Sequence, residues 1–117
     1  MKRILIIDDD EDLLVALRDY FKRLVVEVQA SASCKEGWQM LEHFLPDIVI
    51  TDVNVGSEDG RELCKMIKAQ AHLLHIPVVL ISADEEALKL YQAYGADCCL
   101  NKPFRLALLA DMVNACF

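Results

Sequence analysis

Acids, a serine and a lysine stand where the short apolar runs of this chain come to an end. Ile4 to Ile7 stops at Asp8-Asp9, Ile48 to Ile50 leads to Asp52, Val78 to Ile81 stops at Ser82, and Cys98 to Leu100 leads to Lys102-Pro103. Carboxylates gathered in one place repel one another, which raises at least one pKa unless a cation intervenes. Mg²⁺ meets that need, because it prefers oxygen ligands, keeps several waters and takes one or two carboxylates together with phosphate oxygens. A lysine ammonium and a serine hydroxyl are groups that hold a phosphoryl group as charge develops on it. A carboxylate can itself carry that group as an aspartyl phosphate, the role this pattern offers to Asp52. Taken alone, Asp52 reads equally well as an acid that caps a turn. The chemistry therefore depends on whether the fold brings the run ends together.

The elements between those runs decide that question. Each run is short, apolar and rich in β-branched residues, as strands covered on both faces of a parallel sheet are. Asp12 to Leu24 carries Leu13, Leu17, Tyr20, Phe21 and Leu24 at the spacing of one helical face. Val25 to Ala30 reads as a strand, and Ser33 as the N-cap of a helix from Cys34 to about Phe44, with Glu36 completing a capping box. Arg61 to Gln70 is helical by composition, with Leu63, Met66 and Ile67 on one side. Glu85 to Tyr94 is a helix stopped by Gly95, and Arg105 to Phe117 places Leu106, Leu109, Val113 and Cys116 on one stripe. Five strands thus alternate with five helices, which predicts an α/β, doubly wound five-stranded parallel sheet with right-handed crossovers. In such a sheet all the strand ends lie on one edge, where ligands bind.

Composition narrows the classes of function. The 117 residues form one domain with no linker, and 55% hydrophobic against 26% charged residues describes a globular chain. A formal charge of −7 without clustered Lys or Arg argues against direct nucleic-acid binding. The apolar run in MKRILIIDDDED is too short for a signal-peptide core or a membrane span, which predicts a cytoplasmic protein. Five cysteines, without Cys-x-x-Cys spacing, read as reduced thiols, and only the adjacent Cys98-Cys99 leaves room for a redox role. Asp10, Glu11 and Asp12 read as charges favourable to a helix amino end. His43, His72 and His75 read as surface histidines, Trp38 and the methionines as packing, and Asp59-Gly60 as a turn and helix start.

Four motifs in this order and spacing, ILIIDDDED, PDIVITDVNVGSEDG, IPVVLISA and NKPF, make the whole chain resemble the receiver domains of bacterial two-component response regulators. The resemblance implies the flavodoxin-like strand order 2-1-3-4-5 of the chemotaxis member of that family. Residues 1–117 then read as a single receiver domain, alone or as the N-terminal part of a longer response regulator. Matched by position, Asp52 is the phosphorylation site, and Asp9 and the main-chain carbonyl of Asn54 bind Mg²⁺ directly. Asp8 is the partner acid acting through a metal-bound water. Ser82 is the switch hydroxyl, Ala83 the small residue beside it, and Lys102 the lysine that pairs with the phosphate. Asn54 and Asp84 match the variable positions that tune phosphoryl lifetime, and an amide and an acid there imply a short one. The resemblance also implies a cis Lys102-Pro103 bond. Its partners would be a sensor histidine kinase or phosphotransfer protein, with pairing of two copies through the face of the fourth helix, fifth strand and fifth helix.

Departures from the family pattern concern the route out of the pocket. Gly56 replaces the proline that usually stiffens the loop after the phosphorylation site, which predicts a more mobile loop. The segment from Ser82 to Lys102 is slightly short. Cys99 occupies the place of a switch Tyr or Phe, which implies an altered relay out of the pocket. The leading expectation is a phosphoacceptor switch that turns over no external substrate. An interaction module of the same fold that works without phosphorylation is the alternative, favoured by Cys99 and disfavoured by the complete acid, serine and lysine set. An Asp-nucleophile phosphatase of the haloacid dehalogenase type is opposed by the lack of a second acid two residues after Asp52 and of a cap domain.

Overall fold

Ile4, Leu5, Ile6 and Ile7 are all fully buried, as a strand sandwiched between two helical layers requires. They belong to β1 (Lys2–Ile7), followed by α1 (Glu11–Lys22), β2 (Val26–Ser31), α2 (Cys34–Phe44) and β3 (Ile48–Asp52). After α3 (Gly60–Lys68) come β4 (Val78–Ser82), α4 (Glu85–Leu88), a 3₁₀ turn at Tyr91–Tyr94, β5 (Cys98–Asn101) and α5 (Leu106–Cys116). This computed structural model describes residues 2–24 and 26–116, apart from the side chain of Cys116. The expected roles of Val25 in a strand, and of the Cys116 side chain and Phe117 in the last helix, lie outside the described residues.

The sheet order is β2-β1-β3-β4-β5 with every neighbouring pair parallel, the flavodoxin-like order. Alternate residues of each strand face opposite layers. Leu5, Ile7, Val49, Val78 and Leu80 meet the layer of α2, α3 and α4 through Leu41, Phe44, Leu63, Ile67 and Leu88. Ile4, Ile6, Ile48, Ile50, Val79 and Ile81 meet α1 and α5 through Leu14, Leu17, Phe21, Leu109 and Val113. Each such buried side chain stabilises the fold by about 1.5–3 kcal/mol. The strand ends are thereby held in register at one edge, with Ile7 opposite Thr51, Asp52 opposite Ile81, and Ser82 opposite Asn101.

Several expectations need correction. Helix α1 ends at Lys22, and Leu24, whose N–H closes a tight turn on the Phe21 carbonyl, is exposed while Leu14 is buried instead. On α3 the buried stripe is Leu63, Cys64 and Ile67, and Met66 faces water. The capping box at Ser33 is only half formed. Its hydroxyl accepts from the Glu36 N–H, but the Ser33 N–H donates to the Ser31 hydroxyl instead of to Glu36. The expected helix over 85–94 breaks at Leu90 into α4 and the 3₁₀ turn, which Gly95 closes at φ 88°. A 3₁₀ turn rises about 2.0 Å per residue against about 1.5 Å for an α-helix, so a short connection still reaches β5.

A small hairpin absent from the sequence reading follows β3. Asn54–Val55 pairs antiparallel with Glu58–Asp59 around Gly56 and Ser57. Gly56 has φ 62° while Ser57 does not have a positive φ, the pattern of a type II′ turn. A proline, fixed near φ −65°, does not fit at Gly56. The loop is tied rather than loosened: the Gly56 N–H donates to Asp9 Oδ2 at 3.0 Å.

Candidate functional site

The sheet delivers the acids as its topology demands. Asp8 follows β1, Asp52 ends β3, and Lys102 follows β5, joined to Pro103 by a cis peptide bond. Carboxylate oxygens of Asp8, Asp9 and Asp52 all lie within 4.8 Å of one another. Lys102 Nζ donates to Asp8 Oδ2 at 2.7 Å and to Asp52 Oδ2 at 2.9 Å. The other oxygen of each acid is held by backbone, Asp8 Oδ1 by the Asp10 N–H at 3.0 Å and Asp52 Oδ1 by the Asn54 N–H at 3.3 Å.

Burial sets the electrostatics of this pocket. Asp8 is fully buried and Asp52 is 7% exposed, whereas Asp9 opens to solvent. Desolvation pushes the Asp8 carboxyl above the usual carboxylate range, and the nearby Asp52 charge adds to it against the opposing Lys102 hydrogen bond. Burial works against the Lys102 ammonium, but its hydrogen bonds to Asp8 and Asp52 outweigh it and raise its pKa. One ammonium, paired with Asp8 and Asp52, beside a cluster of three carboxylates leaves the pocket short of positive charge. An oxygen-only donor set with an excess of acid suits a hard divalent cation and not a soft one. Asp8, Asp9 and Asp52 form the one such acid cluster found among the described residues.

Other site residues predicted from sequence lie nearby in different states. Ser82 is buried, and its hydroxyl accepts from the Asp84 N–H at 3.0 Å, an engagement that turns it toward α4. No hydrogen bond among the described residues joins this hydroxyl to Asp52 or Lys102, although the Lys102 N–H donates to the Ser82 carbonyl at 2.8 Å. Asp84 caps α4, its Oδ1 accepting from the Glu86 N–H at 3.0 Å. Ala83 is exposed and shares with Leu13, Lys102, Pro103 and Phe104 an open cleft of about 380 Å³ beside the acids. The Asn54 side chain is exposed. Cys99 is half-buried and faces away from the pocket, lining a groove with Leu88, Tyr91 and Asn101. Asp10 is the N-cap of α1, accepting from the Leu13 N–H, and Asp59 is the N-cap of α3. The side-chain hydrogen bonds of Arg61 to Asp59 hold that carboxyl below its ordinary range.

Residues that sequence reasoning missed fix the frame around Asp52. The Thr51 hydroxyl donates to the Asp52 carbonyl at 3.0 Å, and the Gly60 N–H donates to the Val53 carbonyl at 2.7 Å. Asn101 Nδ2 donates to the Ser82 carbonyl at 3.0 Å, which fastens the ends of β4 and β5 together. Glu58 spans to the amino end of α2, where its two oxygens accept from the Cys34 N–H at 2.8 Å and the Lys35 N–H at 3.1 Å. No local sequence signal marks a bond between residues 24 positions apart. No helix among the described residues is long and apolar enough to cross a membrane.

Comparison with known proteins places these features in a family. Residues 4–114 match the response regulator receiver domain. The heme response regulator HssR of Staphylococcus saprophyticus is 33% identical over 117 residues, which cover 98% of this chain and 51% of that protein. The chain spans about half the length or less of the curated relatives it matches. A putative response regulator from Chloroflexus aurantiacus superposes with a TM-score of 0.91 at 29% identity, covering 98% of this chain and 96% of that one. The response regulator TrrA of Thermotoga maritima, solved in complex with Mg²⁺ and BeF, shares the fold with a TM-score of 0.88 at 22% identity over 100% of both chains.

Proposed function

Because this chain belongs to the response regulator receiver family, we propose that it is a phosphoacceptor switch in which Asp52 takes a phosphoryl group from a phosphohistidine. A carboxylate oxygen of Asp52 attacks phosphorus, the P–N bond of the donor breaks, and the departing imidazole takes up a proton from solvent. The group is later lost when water attacks the aspartyl phosphate and releases inorganic phosphate. The observation that carries this reading is the convergence of Asp8, Asp9 and Asp52 in one cluster, two of whose acids, Asp8 and Asp52, share the Lys102 ammonium.

Asp8, Asp9, Asp52 and the main-chain carbonyl of Asn54 are the groups assigned to hold Mg²⁺, with Asp8 acting through water. The cation, when bound, screens the acids from the incoming phosphate and draws charge off its oxygens. Lys102, already within hydrogen-bond reach of Asp52, pairs with the phosphoryl oxygens. Ser82 would leave the Asp84 N–H to donate to the phosphoryl group, with Ala83 leaving room for the movement. That bond exchange gives the pocket two states, which is what a switch requires. Asn54 and Asp84 flank the pocket as the lifetime-tuning pair, and we assign a short phosphoryl lifetime; a phosphoprotein that lasts many hours would overturn that assignment.

We take residues 1–117 as one receiver domain that turns over no external substrate. Its phosphodonor is a sensor histidine kinase or phosphotransfer protein, and its acidic charge of −7 leaves nucleic-acid contact to other chains or domains. The free thiols at Cys34, Cys64, Cys98 and Cys99 suit the reducing cytoplasm. Exposed Leu90 after α4 and Leu108 on α5 support pairing of two copies through the face of α4, β5 and α5. Cys99 favours a second reading, an interaction module that works without phosphorylation, because no aromatic stands there to follow Ser82.

Incubation with Mg²⁺ and acetyl phosphate separates the two. The switch reading expects a mass gain of one phosphoryl group that is lost in Asp52→Asn and on chelation of the cation. A wild-type chain that stays unmodified while binding Mg²⁺ overturns it in favour of the module.

A further inference from the structure

Among the described residues, Glu58 is the one long-range cap whose loop also touches the acids. The first three N–H groups of α2 have no intrahelical partner. Ser33 Oγ takes the third, from Glu36, and the carboxylate of Glu58 takes the first two, from Cys34 and Lys35. Charge-assisted bonds to a carboxylate are roughly twice as strong as neutral ones, and the helix dipole adds to them. The backbone of Glu58 is meanwhile paired with buried Val55, and Asn54 with Asp59, in the hairpin that follows Asp52. The turn of that hairpin reaches Asp9 through the Gly56 N–H at 3.0 Å. One continuous set of bonds therefore runs from the amino end of α2, through the hairpin, to an acid of the pocket.

We propose that Glu58 is a positioning residue of the pocket: by bridging the amino end of α2 it locks the hairpin that presents Asn54 and Gly56 to the acids, and it carries the occupancy of the pocket to α2. This rests on the reading of the acids as a Mg²⁺ site. The lock does for this loop what a proline does elsewhere, by holding a conformation from outside the turn instead of within it. It also gives the chain a route out of the pocket that does not use position 99. Trp38, the single tryptophan, lies on the next turn of α2 and is partly buried, so it reports the state of that helix end.

The test is titration of the full chain with MgCl₂, followed by calorimetry and by Trp38 emission, in wild type, Glu58→Ala, Glu58→Gln and Ser33→Ala. Glu58→Ala is expected to weaken Mg²⁺ binding about fivefold, the equivalent of one ordinary hydrogen bond, and to abolish the Trp38 response. Glu58→Gln keeps one acceptor oxygen and falls between; it also serves if the alanine variant fails to fold. Ser33→Ala removes a cap from the same helix end without touching the hairpin, so it lowers stability and leaves the Mg²⁺ affinity and the response in place. Wild-type affinity and response in both Glu58 variants, or an equal loss of affinity in Ser33→Ala, overturns the inference while the cation site stands. Absence of any binding heat in the wild type overturns the cation site itself, and the inference with it.

Discussion

Gly60 lies so close to Asp52 that a β-carbon on it would overlap the main-chain carbonyl oxygen of that residue. The contact is backbone against backbone at the start of α3, so neither side can rotate away. Gly60→Ala is therefore expected to destabilise the protein by about 2–4 kcal/mol, well above an ordinary helix substitution, through displacement of the β3 end. Urea denaturation measures it. A change below about 0.5 kcal/mol would show that the frame around Asp52 yields easily.

Lys102 is 19% exposed and is the countercharge recorded for both Asp8 and Asp52. Replacement by Met leaves two buried acids without it. The expected loss is about 3 kcal/mol at neutral pH. It shrinks when Mg²⁺ is added or when the pH is lowered, because either change relieves the acids. Chemical denaturation with and without the cation reads both effects.

Asp8 gives the pH dependence an unusual sign. Its folded pKa lies above the ordinary 3.8, so the folded state binds the proton more tightly than the unfolded state between those two values. Stability contributed at Asp8 is thus greatest below 3.8 and falls as pH rises through the folded pKa. Asp8→Asn keeps a neutral group there at every pH. Its melting temperature is expected to exceed that of wild type at pH 7 without Mg²⁺, and the gap to narrow toward pH 3.8. A variant less stable than wild type across that range contradicts the assignment of burial as the dominant cause.

The thiols separate by burial. Burial, aided at Cys34 by the charges of Glu58, Asp59 and Asp52, pushes the Cys34 thiol up to about 11, and burial pushes Cys64 up to about 11. Thiolate is the reactive form. At pH 8 iodoacetamide should modify Cys34 and Cys64 at least about a hundredfold more slowly in the folded chain than in urea. Half-buried Cys98 and Cys99 should react ahead of them. Peptide mapping resolves the sites.

The parts of this structure that can be read from sequence are those set by repeating patterns. The β-branched runs ending at Asp8, Asp52 and Ser82 identify strands because a doubly covered strand is apolar throughout, and the parallel order follows from their alternation with helices. Hence the acids and Lys102 meet as expected. The hairpin after Asp52 escapes because its two-residue strands are too short to show a period. Its one local signal was Gly56-Ser57, a pair that fits a type II′ turn. The tie from Glu58 to α2 is a tertiary bond with no sequence mark. The break at Leu90, whose backbone leaves the helical region at φ −108° and ψ 31°, is not marked by any glycine or proline, and periodicity does not encode it.

Lys102 and Asp8 touch across 94 positions of sequence. Bringing such distant segments together carries a loop-closure cost that only long-range packing repays, and β5 is the last strand to be synthesised. A nascent chain that ends before Asn101 has the acids of β1 and β3 but not their ammonium. The pocket is therefore complete only once the edge strand β5 has docked, and a chain competent to bind at Asp52 has, by that fact, already joined its first strand to its last.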